Sequence, residues 1–406
     1  MFLRRSTFFI GALFLLSLSK EARSFDYTVK VATEAVYSPQ VSFCIVDLKY
    51  RKNNLKVCEL GEGAYSGFHG HERLFGPGKI WSNFWDFLAS FRTPFYFVDP
   101  SNIFVRLRAQ QQHNDQWSSA TFAQHGGRVV RSFQHLDDTI NKQKKQYKAQ
   151  ALGQSLLPDK TTLVMFHLPG MLFNQSNKDK ITQLRYPDTV FVDAMTHPFV
   201  LNKLLTHKLF MQDQNLVSFR PQCLILPTGY TSDMVKKIQK TIKSDHYVVK
   251  PIADTHGNGI MMISKQELGQ TLQKMFCRGY SYDRDPLIAY WQKSRAGSFL
   301  VESHESSDPI EVGDKHYDAT MRVAFGIYYS EGTVGISFLG AYWKLPSLAL
   351  EDTGPLTKKL KSRIAHGTKC SAKVAPAVYN EVKAILSAML PPLFIKMIED
   401  RHSKPR

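Results

Sequence analysis

The residues of this 406-residue chain best placed to do chemistry are a lysine ending an apolar run and the glycine loop behind it. They read Tyr247-Val248-Val249-Lys250-Pro251, then Asp254-Thr255-His256-Gly257-Asn258-Gly259-Ile260. A lysine at a strand end supplies a fixed positive charge, and glycines let backbone N–H groups approach phosphate oxygens with no Cβ in the way. The spacing therefore points to a nucleotide-phosphate site built from Lys250 and the loop His256, Gly257, Asn258 and Gly259, although an ordinary hairpin turn uses the same glycines. A P-loop is excluded, because the lysine precedes the glycines and no Gly-Lys-Ser/Thr opens a helix after them.

Three further segments must position this chemistry. Val190-Phe191-Val192-Asp193 reads as a strand leading into Asn202 to Phe210, a helical run with Lys203 near its start. Ser298 to His304 reads as a strand containing Glu302. In Asp318-Ala319-Thr320-Met321-Arg322-Val323, strand alternation puts Asp318, Thr320 and Arg322 on one face and Met321 and Val323 on the other, which fits a half-buried strand. Arg322, and Lys344 at the end of Gly340-Ala341-Tyr342-Trp343-Lys344, read equally as charge-stabilising groups or as a solvated strand face.

In this order the segments resemble the ATP-grasp superfamily over about half of the chain, and most of all the branch that includes glutathione synthetase and ribosomal-protein glutamate ligase. The resemblance implies an α/β protein, an α+β ATP-grasp clamp with a preceding open α/β domain. It implies that Lys203 and Lys250 hold ATP phosphates, that the loop from His256 to Gly259 covers them, and that Glu302 contacts adenine or ribose. Arg322, with Lys344 and Arg363, is implied to stabilise the transferred charge. The implied reaction is phosphorylation of a carboxylate by ATP, followed by attack of an amine to give an amide or peptide bond. In such phosphoryl transfer, catalysis is mostly positioning and electrostatics.

The pattern then breaks. The family closes its clamp with a strand pair bearing an aspartate and a Glu-x-Asn that hold magnesium, and no such pair follows Lys344. Ala377 to Ile398 instead reads as one helical stretch interrupted by Pro391-Pro392. Either the chain is a metal-less relic or the carboxylates lie elsewhere. Near the front, Ser42 to Tyr50, a polar turn from Arg51 to Asn54, and Leu55 to Gly63 read as a hairpin with Asp47 and Glu59 on neighbouring strands. That is similar to the family's closing pair, except that Leu60-Gly61 stands where x-Asn is usual. The expectation is a circularly permuted ATP-grasp with Asp47 and Glu59 as Mg²⁺ ligands; an amphipathic hairpin with two exposed acids is the plainer alternative. Permutation is tolerated where termini lie near each other on the surface.

With 43% hydrophobic and 12% aromatic residues the chain can bury a sizeable core. The expected division is a signal peptide (1–24), the hairpin segment (25–63), an α/β domain (64–200), the nucleotide-binding domain (201–380), and a C-terminal helix with basic tail (381–406). Thr93 to Val98, Gly127 to Arg131, Thr161 to Phe166 and Thr189 to Val192 are the strands expected in the α/β domain. Arg4-Arg5, the apolar run from Phe8 to Leu18 and Ala22-Arg23-Ser24 predict export with cleavage near Ser24, and no later stretch suits a membrane span. Without that segment 48 basic residues face 34 acidic ones, or +14, so anionic partners are favoured: ATP and a carboxylate-bearing small molecule or peptide. The lysine-rich run Asn141 to Lys148 reads as a solvated helix face, and specific nucleic-acid binding is not expected. Five dispersed cysteines give no zinc or CxxC pattern, while Cys44 and Cys58 flank the hairpin closely enough to pair in an exported chain. A non-catalytic nucleotide-binding or interaction protein on the same fold is the rival from another class.

Overall fold

The computed structural model describes residues 25–31, 35–64, 66–99, 119–146, 157–158, 161–166, 188–252, 257–277, 285–294, 296–362 and 370–403. The segment expected to be a signal peptide lies outside them. The described chain is mixed α/β, with three sheets of four or more strands, a small hairpin at Ile310–Val312 and Lys315–Tyr317, and helices packed between.

The front hairpin forms as its turn chemistry dictates. Strands Gln40–Arg51 and Asn54–Glu62 are joined through Lys52 and Asn53, both at positive φ (44° and 64°), as a two-residue type I′ turn requires. The register runs from Arg51 opposite Asn54 to Cys44 opposite Glu62, with a bulge that leaves Cys58 without an opposite residue. Strand Thr320–Ser330 pairs antiparallel with Gln40–Arg51 and sets Arg322 opposite Asp47. Strand Thr333–Lys344 continues the sheet, and Tyr27–Lys30 and Ser371–Ala372 pair along its far side.

Both faces of this sheet are covered. On one face the C-terminal helix Pro376–Ser403 and the helix Lys203–Met211 pack on alternate residues such as Val46, Leu48, Met321, Val323 and Trp343. On the other, helix Lys79–Ala89 presents Trp81, Phe84 and Phe87 to Phe43, Ile45, Ala324 and Tyr328. Thr320–Ser330 is consequently buried at all eleven positions. That overturns the half-buried strand and the solvated-face reading of Arg322 and Lys344: alternation assigns a residue to a face but cannot tell what covers that face.

A second, four-stranded antiparallel sheet runs Met261–Ser264, His246–Pro251, Ser298–Ser303, Cys223–Pro227 and has its own core around Leu272, Trp291 and Phe299. The four strands expected between residues 64 and 200 form one parallel sheet in the order Arg128–Val130, Phe95–Val98, Thr162–Phe166, Thr189–Phe191. In the helix Phe133–Gln146, Asn141 and Lys142 are exposed.

Two expectations are corrected. Pro391 and Pro392 do not interrupt the last helix, which is continuous from Pro376 to Ser403. Each proline removes a helix N–H and crowds the preceding turn, a cost of about 3 kcal/mol, but Leu390, Leu393, Phe394 and Met397 beside them are buried against the large sheet. Cys44 and Cys58 are free thiols, because the tight turn at Lys52-Asn53 fixes a register in which Cys44 faces Glu62, well away from Cys58.

At Gly326 helix Lys79–Ala89 comes close against the sheet: a Cβ there would lie 2.7 Å from the Phe87 ring. That ring is boxed in by Phe25, Phe84 and Phe91 and has nowhere to move. Gly326→Ala is expected to lower stability by about 1–3 kcal/mol in urea unfolding, with secondary structure retained.

Candidate functional site

Between the large sheet and the second sheet lies a cavity of about 1060 Å³. Ligand pockets typically measure about 300–1,000 Å³, so it has room for a nucleotide together with part of a second molecule. The large sheet contributes one wall through residues that alternation sends to the same side: Asp47 and Lys49, Glu59, Thr320 and Arg322, and Lys344.

Asp47 is the hub of that wall. Arg322 donates Nε to Asp47 Oδ1 at 2.7 Å and Nη2 to Oδ2 at 2.8 Å, and Lys344 Nζ donates to Oδ2 at 2.7 Å. All three are buried. Burial alone raises the Asp47 carboxyl, but Arg322 and Lys344 overcome it and hold the group well below the usual carboxylate range. Arg322 is pushed up: burial opposes its charge and Asp47 outweighs burial. Lys344 is pushed down, first by burial and then by Arg322 beside it, with Asp47 only partly compensating. Arg322 also donates Nη1 to the carbonyl of Gly67 at 3.3 Å, which ties the connection after the hairpin to the site.

The second sheet supplies the opposite wall. Lys250 Nζ lies 2.5 Å from Glu302 Oε2, and Arg220 Nη2 lies 2.6 Å from Glu302 Oε1. Burial raises the Glu302 carboxyl, yet the two cations bring it below its ordinary value, and Lys250 in turn is raised by Glu302 against the effect of burial. The hairpin bulge reaches this wall through its backbone: the Cys58 carbonyl accepts from Lys250 Nζ at 3.1 Å and the Val57 carbonyl from Arg220 Nη1 at 2.8 Å. Bulges often re-aim groups beside functional sites in this way. Lys203 opens a helix capped by Asn202, whose Oδ1 accepts from the Leu204 and Leu205 amides, and its Nζ stands 3.4 Å from Glu59.

Of the residues singled out in the sequence, Asp47, Glu59, Lys250, Gly257, Asn258, Glu302, Arg322 and Lys344 line one cavity, and Lys203 reaches it through Glu59. His256 and Arg363 lie outside the described residues. Gly257 (φ 71°) faces the cavity. Gly259 (φ 66°) is glycine for a different reason, since a Cβ there would sit 2.2 Å from the Tyr290 ring, and its carbonyl accepts from Trp291 Nε1. Both Glu302 oxygens hold cations, so the side chain stands here as a counterion where the resemblance implies a contact to adenine or ribose. Asp47 and Glu59 are register partners with the oxygen chemistry a hard cation needs. Neither is an exposed acid of a plain hairpin: Asp47 is buried and the Glu59 side chain is 30% exposed. Among the described residues no group of three or more His, Cys, Asp and Glu side chains could hold a metal by itself. The pair therefore fits a metal only if water or phosphate oxygens complete the coordination.

No family model matches the chain, and no curated protein matches it. Among solved structures, a candidate gamma-glutamylcysteine synthetase from Methylobacillus flagellatus KT is similar over 90% of this chain and 91% of its own, with 10% identity and a TM-score of 0.39. A likeness that weak carries no argument, and the site must speak through its own geometry.

Sequence reasoning missed four lining or supporting cations. Lys49 was within reach of alternation, being two residues from Asp47 on the same face; it donates to Asp318 Oδ1 at 2.8 Å. Arg220 gave no signal, because its role depends on the fold bringing it to Glu302. Lys358 and Lys361 also line the cavity from a segment with no recognisable motif.

Glu302→Gln keeps the shape but leaves Lys250 and Arg220 uncompensated, so a loss of about 3–5 kcal/mol is expected in denaturant unfolding. The ordinary values are 4.5 for Glu302 and 3.8 for Asp47, and both are depressed in the folded chain. On acidification the unfolded chain therefore binds protons first: the stabilisation is whole above those ordinary values and is lost as pH falls through the lower folded ones. Unfolding free energy measured from pH 6 to pH 3 is expected to fall less steeply in Glu302→Gln than in the parent chain.

Proposed function

We propose that the cavity binds ATP and that the chain is an ATP-dependent carboxylate–amine ligase working through an acyl phosphate. The observation that carries this reading is the convergence of Lys250, Arg322 and Lys344, from two different sheets, on one cavity edged by Gly257, with Lys203 held at its side by Glu59. Buried cations at that density need anions, and Asp47 and Glu302 hold Arg322, Lys344 and Lys250 in place without exhausting their donors. A triphosphate is the ligand class that matches.

In this reading Lys250 and Lys203 position the phosphates, and the amides of the glycine loop approach them where no side chain intervenes. Arg322 and Lys344 face the charge that builds as the substrate carboxylate oxygen attacks the terminal phosphorus and ADP departs. The amine nitrogen then attacks the acyl carbon and phosphate leaves. Asp47 and Glu59 would hold Mg²⁺ arriving with ATP, which would supply neutralisation of the phosphate charge. Phosphates binding Arg322 and Lys344 would free Asp47 lone pairs for that task. The front hairpin, placed beside the Arg322 strand, completes the clamp from the N-terminal side, which is the permuted arrangement. Export is part of the same proposal, and mature protein recovered outside the cytoplasm is expected to begin near Phe25; intact Met1 on such material would refute it.

The rival, a nucleotide-binding protein without catalysis, is favoured by one observation: both Asp47 oxygens are already engaged by cations. Two measurements separate the readings. Calorimetry should show ATP binding, weakened by about 1.5–3 kcal/mol in folded Lys250→Met through loss of a charge-assisted contact; unchanged affinity removes Lys250 from the site. With ATP, Mg²⁺, hydroxylamine and a panel of amino-acid and peptide carboxylates, the ligase should form a hydroxamate and ADP, and Asp47→Asn should abolish both. Binding without any ADP release across the panel would leave the non-catalytic reading standing.

A further inference from the structure

After Lys344 the chain does not leave the cavity. Residues 345–362 form a strap that is bonded to both walls. On the large-sheet side, Pro346 bridges to Ser362 and the Ser362 hydroxyl meets Thr320 Oγ1 at 2.9 Å. On the other side, the short helix Leu356–Leu360 packs against strand Met261–Ser264, with Thr357 Oγ1 donating to the Met262 carbonyl. The strap carries three lysines close together, and they do different things. Lys359 Nζ turns back to the strap's own Leu350 carbonyl. Lys358 and Lys361, three apart and so on one face, both line the cavity.

Lys361 Nζ donates to the carbonyls of Gly257 at 2.8 Å and Ile260 at 3.3 Å, gripping the glycine loop. A Cβ on Gly257 would lie 3.5 Å from the Lys361 stem, so the ammonium is laid directly across the loop. Lys358 is exposed at the cavity rim, and among the described residues its ammonium has no hydrogen-bond or ion-pair partner. An ammonium is a costly way to rivet a strap to a loop when an apolar contact would serve, and an unpartnered second one does no riveting at all.

We infer that Lys358 and Lys361 are additional phosphate-binding residues, delivered by the strap onto a nucleotide held under the glycine loop. This rests on the ATP reading of the cavity. Lys361 sets the loop and, lining the cavity beside Gly257, stands where it can meet phosphate. Lys358 supplies a charge from the rim. Neither position is marked by the motifs that suggested the site, because the strap belongs to no regular strand or long helix.

The test is ATP titration by calorimetry of the full chain and of Lys358→Ala, Lys361→Ala and Lys361→Arg, with Lys237→Ala, on an exposed helix face, as the control for net charge. Each alanine variant should bind ATP about tenfold more weakly, Lys361→Arg should recover most of the loss, and Lys237→Ala should match the parent. Thermal unfolding of each variant identifies any that fail to fold, and Lys358→Ala, altering only an exposed side chain, keeps the test decisive. If the parent binds ATP and both alanine variants bind equally well, the strap lysines are not phosphate ligands and the ATP reading stands. A parent chain that binds no ATP overturns both.

Discussion

The site depends on a single buried carboxylate. Asp47 sits between Arg322 and Lys344, side chains that reach it from strands 275 and 297 residues further along the chain. Removing two cations and an anion from water costs several kcal/mol per ion, recovered only when the geometry is close and the remaining donors are used. Here Arg322 meets both oxygens of Asp47 and keeps Nη1 for the Gly67 carbonyl. The strand register makes that possible: with Arg322 directly opposite Asp47, no side chain has to stretch. A one-residue slip would turn every charge of this wall into the apolar core on the other face.

Glu302 plays the same part in the second sheet, held between Lys250 and Arg220. The two walls thus follow one logic, an acid fixing two cations, so that Arg322 and Lys344 on one side and Lys250 on the other stand rigid at the cavity edge. Rigid charges need no reorganisation when a ligand's charge changes, which is what phosphoryl transfer asks of a protein. The bulge at Cys58 connects them, because the carbonyls of Val57 and Cys58 hydrogen-bond to Arg220 and Lys250 across the cavity.

Local signals carried much of this into the sequence. The polar turn at Lys52-Asn53, the four strands of the parallel sheet and the strand ending in Lys250 are written in short-range patterns, and the structure has each of them. What could not be read was anything set by packing between distant segments. Alternation placed Arg322 on a face but not under cover. The double proline read as a break until the buried surface around it was known. The hairpin register set Cys44 opposite Glu62, four residues from Cys58, and Arg220 and Lys361 owe their roles to neighbours 82 and 104 residues away.

The front hairpin's position has a consequence during synthesis. Strand Gln40–Arg51 lies inside the finished sheet, yet its neighbour Thr320–Ser330 is made last but for about the C-terminal fifth of the chain. At about 5–20 residues per second, translation leaves that strand's free edge waiting for roughly tens of seconds, with apolar side chains on both faces and Asp47 and Lys49 interrupting one of them. Unmatched edges of this kind recruit other chains. The charged pair that later builds the cavity is thus also a gatekeeper for the nascent chain: until Arg322 arrives, an aspartate and a lysine in mid-strand discourage the stacking that an all-aliphatic edge would invite.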